Sequence, residues 1–300
     1  MKALKKITLT CLLNGNLSVI LFTMAACGLF MSVIIPTFIM NDLVKYRLKG
    51  KVKSVMEYKY TAGEKSDSAQ KGKIVYQKYM MFDILGYETQ SSLFGNGNEF
   101  LTSVYTFGAD NKQVEMNEYK PGGVLNLTVT YKFDKKGFRS EADYLWAENR
   151  NIGEITDNTD YYYEIIQNDI FTKVMYKNEY RGFCTEENYL KEDSSLSFKI
   201  AAKYDFRGNK LESAYFHKSG RLSWMTKYKY DKDDNLIESR VFKSNRVAVL
   251  SQYKYKFDAT GNWVIRTELR TVEVNILTAG LERENTITER TIEYYPVADD

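Results

Sequence analysis

Proline is nearly absent from this sequence, three in 300 residues, and histidine occurs once. So little proline excludes polyproline segments and proline-rich linkers, and a glycine count of 18 gives no glycine-rich linker either. Three cysteines, Cys11, Cys27 and Cys184, supply no disulfide framework and no CxxC metal pair. A nucleophilic thiol needs a nearby base, and the single His217 lies 33 residues after Cys184, so Cys184 reads as a small packed side chain. There is no HExxH, Gly-x-Ser-x-Gly, Walker loop or dinucleotide-binding glycine fingerprint. Excess charge is missing too. The formal net charge of +3 belongs to Lys2, Lys5 and Lys6, because residues 1–40 hold no acid; residues 41–300 balance at 39 bases and 39 acids. A chain so balanced is not expected to bind nucleic acid, and no cofactor is called for.

What is present begins with an address. Behind the three lysines, Leu17 to Met40 runs without a charge, long enough to cross a membrane as a helix. Residues 1–40 are therefore expected to be a signal peptide or an anchor. Within them, Leu21-Phe22-Thr23-Met24-Ala25-Ala26-Cys27 resembles the lipobox of bacterial lipoproteins. That resemblance implies cleavage before Cys27, acylation of its thiol and retention at a membrane.

From residue 51 onward the period is two. Lys51 to Tyr60 alternates in character, and Tyr161–Ile166 and Phe171–Tyr176 are rich in aromatic and branched residues, so strands are expected throughout. Turn dipeptides such as Gly208-Asn209, Asp234-Asn235 and Gly261-Asn262 separate them at hairpin spacing. A pattern also recurs: Tyr131-Lys132-Phe133-Asp134, Tyr228-Lys229-Tyr230-Asp231 and Tyr255-Lys256-Phe257-Asp258, each closed by Gly or Asn. Its markers fall at residues 83, 108, 134, 205, 231 and 258, steps of 25, 26, 71, 26 and 27, so residues 145–200 are read as two degenerate units or an insertion. Within the unit, Asp caps the turn through its side chain and Gly or Asn takes the positive φ.

Gly220-Arg221-Leu222 followed by Tyr228-x-Tyr230-Asp231-x-x-Asp234-Asn235-Leu236 resembles the YD repeats of RHS-type proteins, over about residues 75–270. The chain is similar overall to short, anchored YD-like proteins of Bacteroidetes-type envelopes. The resemblance implies a surface-exposed hairpin array. The fold expected is therefore all-β: repeated antiparallel hairpins over residues 41–300, stacked into an extended, twisted or partly coiled sheet after an N-terminal apolar helix.

The function expected is an exported, membrane-tethered structural or binding module of the cell envelope without catalytic activity, partnered by a membrane and by a glycan or envelope protein. One alternative is a carbohydrate-binding module, because aromatic-aromatic-Asp-x-x-Gly also resembles cell-wall and glucan-binding repeats; Tyr228, Tyr230, Tyr255 and Trp263 would then stack on sugar. The other is a glycoside hydrolase built on a carboxylate pair, although Glu186 and Glu187, Glu192 and Asp193, or Asp233 and Asp234 are sequence neighbours that a strand turns to opposite faces.

Overall fold

The computed structural model describes residues 41–63, 70–95, 98–147, 171–244, 246–275 and 280–296. Among the described residues one short helix, α1 (Asp42–Lys45), precedes the strands. These are β1 (Val52–Ala62), β2 (Lys71–Phe82), β3 (Glu88–Gly95), β4 (Asn98–Phe107), β5 (Gln113–Lys120) and β6 (Val124–Phe133). The chain continues through β7 (Arg139–Trp146), β8 (Lys173–Asn178), β9 (Cys184–Leu190), β10 (Leu196–Tyr204), β11 (Lys210–His217) and β12 (Leu222–Tyr230). It ends with β13 (Leu236–Lys243), β14 (Arg246–Phe257), β15 (Trp263–Asn275), β16 (Gly280–Arg283) and β17 (Asn285–Tyr294).

Each strand from β1 to β15 pairs antiparallel with the next. β16 and β17 act as one strand interrupted at Glu284: Thr271 lies opposite Arg283 and Glu268 opposite Thr286, in a single register along β15. β17 then pairs with β1 from Asn285↔Ala62 to Tyr294↔Val52. The ring closes with sixteen strand positions. The expected open, extended sheet is corrected here, and with it the YD-repeat, RHS-like hairpin array. An array leaves two edge strands with unpaired backbone groups, whereas the β1–β17 seam satisfies both edges against each other. The expected N-terminal apolar helix lies outside the described residues, as do residues 148–170 of the 145–200 stretch; residues 171–200 supply β8, β9 and part of β10.

Seven hairpin turns gather at one rim and share one geometry. In the β2–β3 turn, Asp83 N–H donates to the Tyr87 carbonyl and Gly86 N–H to the Asp83 carbonyl, while Asp83 Oδ1 accepts from Leu85 and Tyr87 N–H at 2.9 Å each. The turns at Asp134, Asp205, Asp231 and Asp258 repeat the backbone bonds and the side-chain cap. Positive φ falls on Gly137, Gly208, Asp234 and Gly261. The register shifts by one residue just before each turn, the mark of a bulge that follows a tight type I turn.

Residues 41–50 lie across this same rim. Leu43 N–H donates to Gly86, and the Asn41 amide to Leu85; Arg47 reaches Asn209 Oδ1 and the Asp234 carbonyl; Lys49 N–H donates to Asn262 Oδ1 at 2.7 Å. The β2–β3 and β10–β11 turns are half a ring apart, yet four residues and an Arg side chain link them, a reach of about 20 Å at most. A circular sixteen-stranded ring would be about 30 Å across. The strapped mouth is therefore drawn in. Leu43 and Leu48 tuck beneath it against Val52, Val55, Met80 and Phe82.

Candidate functional site

The two faces of the wall differ in chemistry. Nothing described packs outside the ring, so a strand residue stripped of solvent lies on the inner face. Val55, Val129, Val174 and Phe198 have no exposed surface, and Phe171, Val174, Tyr189, Phe198, Ile200, Tyr215 and Trp224 form one apolar cluster. Their alternates along the strands carry charge: Lys132 and Lys173 pair with Glu141, Lys199 with Glu186, Lys203 with Glu212, and Lys229 and Arg240 with Glu238. Such exposed pairs are worth at most about 1 kcal/mol each. What they establish is that the outer wall of β6–β13 is built for water.

Inside, a polar site occupies the wall formed by β14, β15, β17, β1 and β2. β1 enters it out of the phase its aromatics suggest. A bulge between Val52 and Ser54 turns Val55, Glu57 and Lys59 inward and leaves Tyr58 and Tyr60 outside, where Tyr60 meets Lys71. Glu57 Oε1 accepts from the Tyr76 hydroxyl at 2.8 Å, and Oε2 from Arg290 Nε at 2.9 Å. Burial pushes the Glu57 carboxyl up, but Arg290 and Arg266 outweigh it and hold the group below the ordinary carboxylate range. The Arg290 guanidinium lies 3.4 Å above the centre of the Trp263 ring, and that of Arg266 lies 5.1 Å from Trp263 and 5.8 Å from Tyr253. Glu268, one step further along β15, accepts from the Tyr253 hydroxyl and from Thr286 Oγ1, both at 3.4 Å.

Of the residues named from sequence, Tyr255 and Trp263 meet in this site, ring centres 6.1 Å apart and edge to face, with the Tyr255 hydroxyl donating to the Leu236 carbonyl at 2.7 Å. Tyr228 and Tyr230 share the inner face two strands away; the Tyr230 hydroxyl donates to Lys210, and Arg47 of the strap covers its ring. Burial raises the phenol of Tyr255 to about 12 and raises that of Tyr230 as well. Cys27 lies outside the described residues. Glu57, Arg266, Arg290 and Tyr76 were not singled out from sequence, because Glu57 and Arg290 are 233 residues apart and meet only through the seam.

Among the described residues the catalytic alternatives find no constellation. Cys184 opens β9 at the strapped rim and His217 closes β11 at the other; burial raises the thiol to about 11. Glu186 faces out to Lys199, while Glu187 faces in and accepts from Tyr189; Asp193 and Asp233 sit in turns. Among the described residues no group of three His, Cys, Asp or Glu side chains is placed to hold a metal ion, and no helix is long and apolar enough to cross a membrane, which leaves strands unaddressed.

No protein-family model and no curated protein matches the sequence. Solved structures do match. A porin-like protein from Bacteroides uniformis ATCC 8492 is similar at a TM-score of 0.50 and 8% identity, over 82% of this chain and 99% of that one. A porin-like protein from Bacteroides vulgatus ATCC 8482 aligns at 0.40 and 12%, over 82% and 99%. The first likeness supports the fold, a closed antiparallel barrel, against the RHS-type array. The Photorhabdus luminescens Tc holotoxin pore aligns at only 0.28 and 10% identity, over 67% of this chain and 13% of that one.

Proposed function

We propose that this protein is a non-catalytic binding barrel of the cell envelope, exported and tethered through residues 1–40 by an acylated Cys27 or a retained span, with its working surface inside the ring. The observation that carries this reading is the polarity of the wall. Over β6–β13 lysine and glutamate ladders face out, while Trp224, Trp263, Tyr255, Arg266 and Arg290 face in. A lipid-facing barrel has the reverse arrangement, apolar outside and polar within. An envelope location agrees with the porin-like description of the similar Bacteroides structures. The inner aromatics suit a ring-shaped ligand such as a saccharide, which stacks on Trp263 and Tyr255.

The test is titration of the full chain in nonionic micelles with neutral and acidic oligosaccharides, read by tryptophan fluorescence and calorimetry. At least one saccharide class should bind saturably, and Trp263→Ala should weaken it tenfold or more. Absence of binding across the whole panel would leave a structural barrel and discard the ligand.

A further inference from the structure

Arg266 sits in this interior with no carboxylate hydrogen-bonded to it, although the nearby charges of Glu57 and Glu268 favour its cation against burial. Its Nε is stripped of solvent and has no hydrogen-bond partner, and the contacts of its guanidinium are ring faces, Trp263 at 5.1 Å and Tyr253 at 5.8 Å. Leaving that donor unmet away from bulk water is costly. The nearby carboxylates are committed elsewhere. Glu57 gives one oxygen to Tyr76 and the other to Arg290, and Glu268 gives its oxygens to Tyr253 and Thr286. Five inward cations, Lys59, Lys78, Arg266, Arg270 and Arg290, thus face the inward carboxylates Glu57 and Glu268, with Glu284 paired to Arg270. The site is not solid: Arg266, Trp263 and Tyr253 each keep some accessible surface.

We infer that Arg266 is the anion-selecting residue of the interior site, which takes an acidic saccharide: the sugar ring lies against Trp263 and Tyr255, and its carboxylate or sulfate group pairs with the planar guanidinium. This rests on the reading of the interior as a saccharide-binding surface. The unmet Nε donor, the aromatic faces beside it and the local excess of positive charge each point to the same ligand chemistry.

Three probes test it on the full chain in nonionic micelles: glucuronate, glucose and sulfate, read by tryptophan fluorescence and by Tm. Glucuronate should bind at least tenfold more tightly than glucose, and sulfate alone should raise Tm. In Arg266→Gln the preference and the sulfate response should both vanish. Arg266→Lys should keep part of the preference, and it serves if the glutamine variant does not fold. Equal affinity for glucuronate and glucose in the unaltered protein, or an undiminished preference in Arg266→Gln, would overturn the assignment. A sulfate response lost in Arg266→Gln, without any saccharide binding, would support the anion site and refute the stacking platform instead.

Discussion

At the scale of single residues, opposite charges decide how the seam holds. Glu57 and Arg290 are both buried, so removing the carboxylate leaves Arg290 and Arg266 as uncompensated cations. Glu57→Gln is expected to cost about 3–5 kcal/mol, measured by chemical denaturation. Glu88 behaves in the opposite sense. Burial raises its carboxyl above the ordinary range, against the pull of Lys78 and the Tyr46 hydroxyl that donates to it at 2.8 Å. A raised carboxyl favours the folded state at acidic pH, and that stability is lost as the pH rises through the folded value. Glu88→Gln should therefore match the unaltered protein near pH 4 and exceed it in Tm at neutral pH. The turn aspartates were legible in sequence because their partners lie two and four residues on. Glu57 was not: its partner is 233 residues away, and the tyrosines beside it suggest the wrong inward face.

At the scale of elements, turns and strap depend on close approach. A Cβ at Gly86 would fall 2.6 Å from Asn41 Nδ2 and 2.8 Å from Leu43, at φ +88°, so the strap seats only over glycine. Gly122 has a similar φ, +81°, but nothing within 4 Å of a Cβ. Gly122→Ala should cost only the left-handed backbone term, about 1–2 kcal/mol, and Gly86→Ala more than that, with faster hydrogen exchange at the Leu43 and Leu48 amides. The hairpins themselves were readable, because alternation and turn chemistry are local. Closure was not, because no residue of β1 announces that β17, more than 220 residues later, will cover its free edge. A strand pattern without closure reads as an array, and an array was the expectation.

At the scale of the whole molecule, the outer wall determines the medium. Lys132, Lys199, Lys227, Lys229 and Lys254 point outward from five different strand positions along β6, β10, β12 and β14. At a bilayer midplane a lysine costs about 2–4 kcal/mol, falling to about 0–1 kcal/mol near the interfaces, so Lys199, Lys227 and Lys254, nearest mid-strand, would together cost about 6–12 kcal/mol. A folded domain is stable by only about 5–15 kcal/mol, so this wall is not one for lipid. The most direct measurement places spin labels at Lys199, Lys227 and Lys254 of the full chain in native membranes and compares collisions with a water-soluble nickel chelate and with oxygen. High nickel and low oxygen accessibility at all three is the result the account predicts. Oxygen-rich, nickel-poor positions would put the barrel in the bilayer and contradict it.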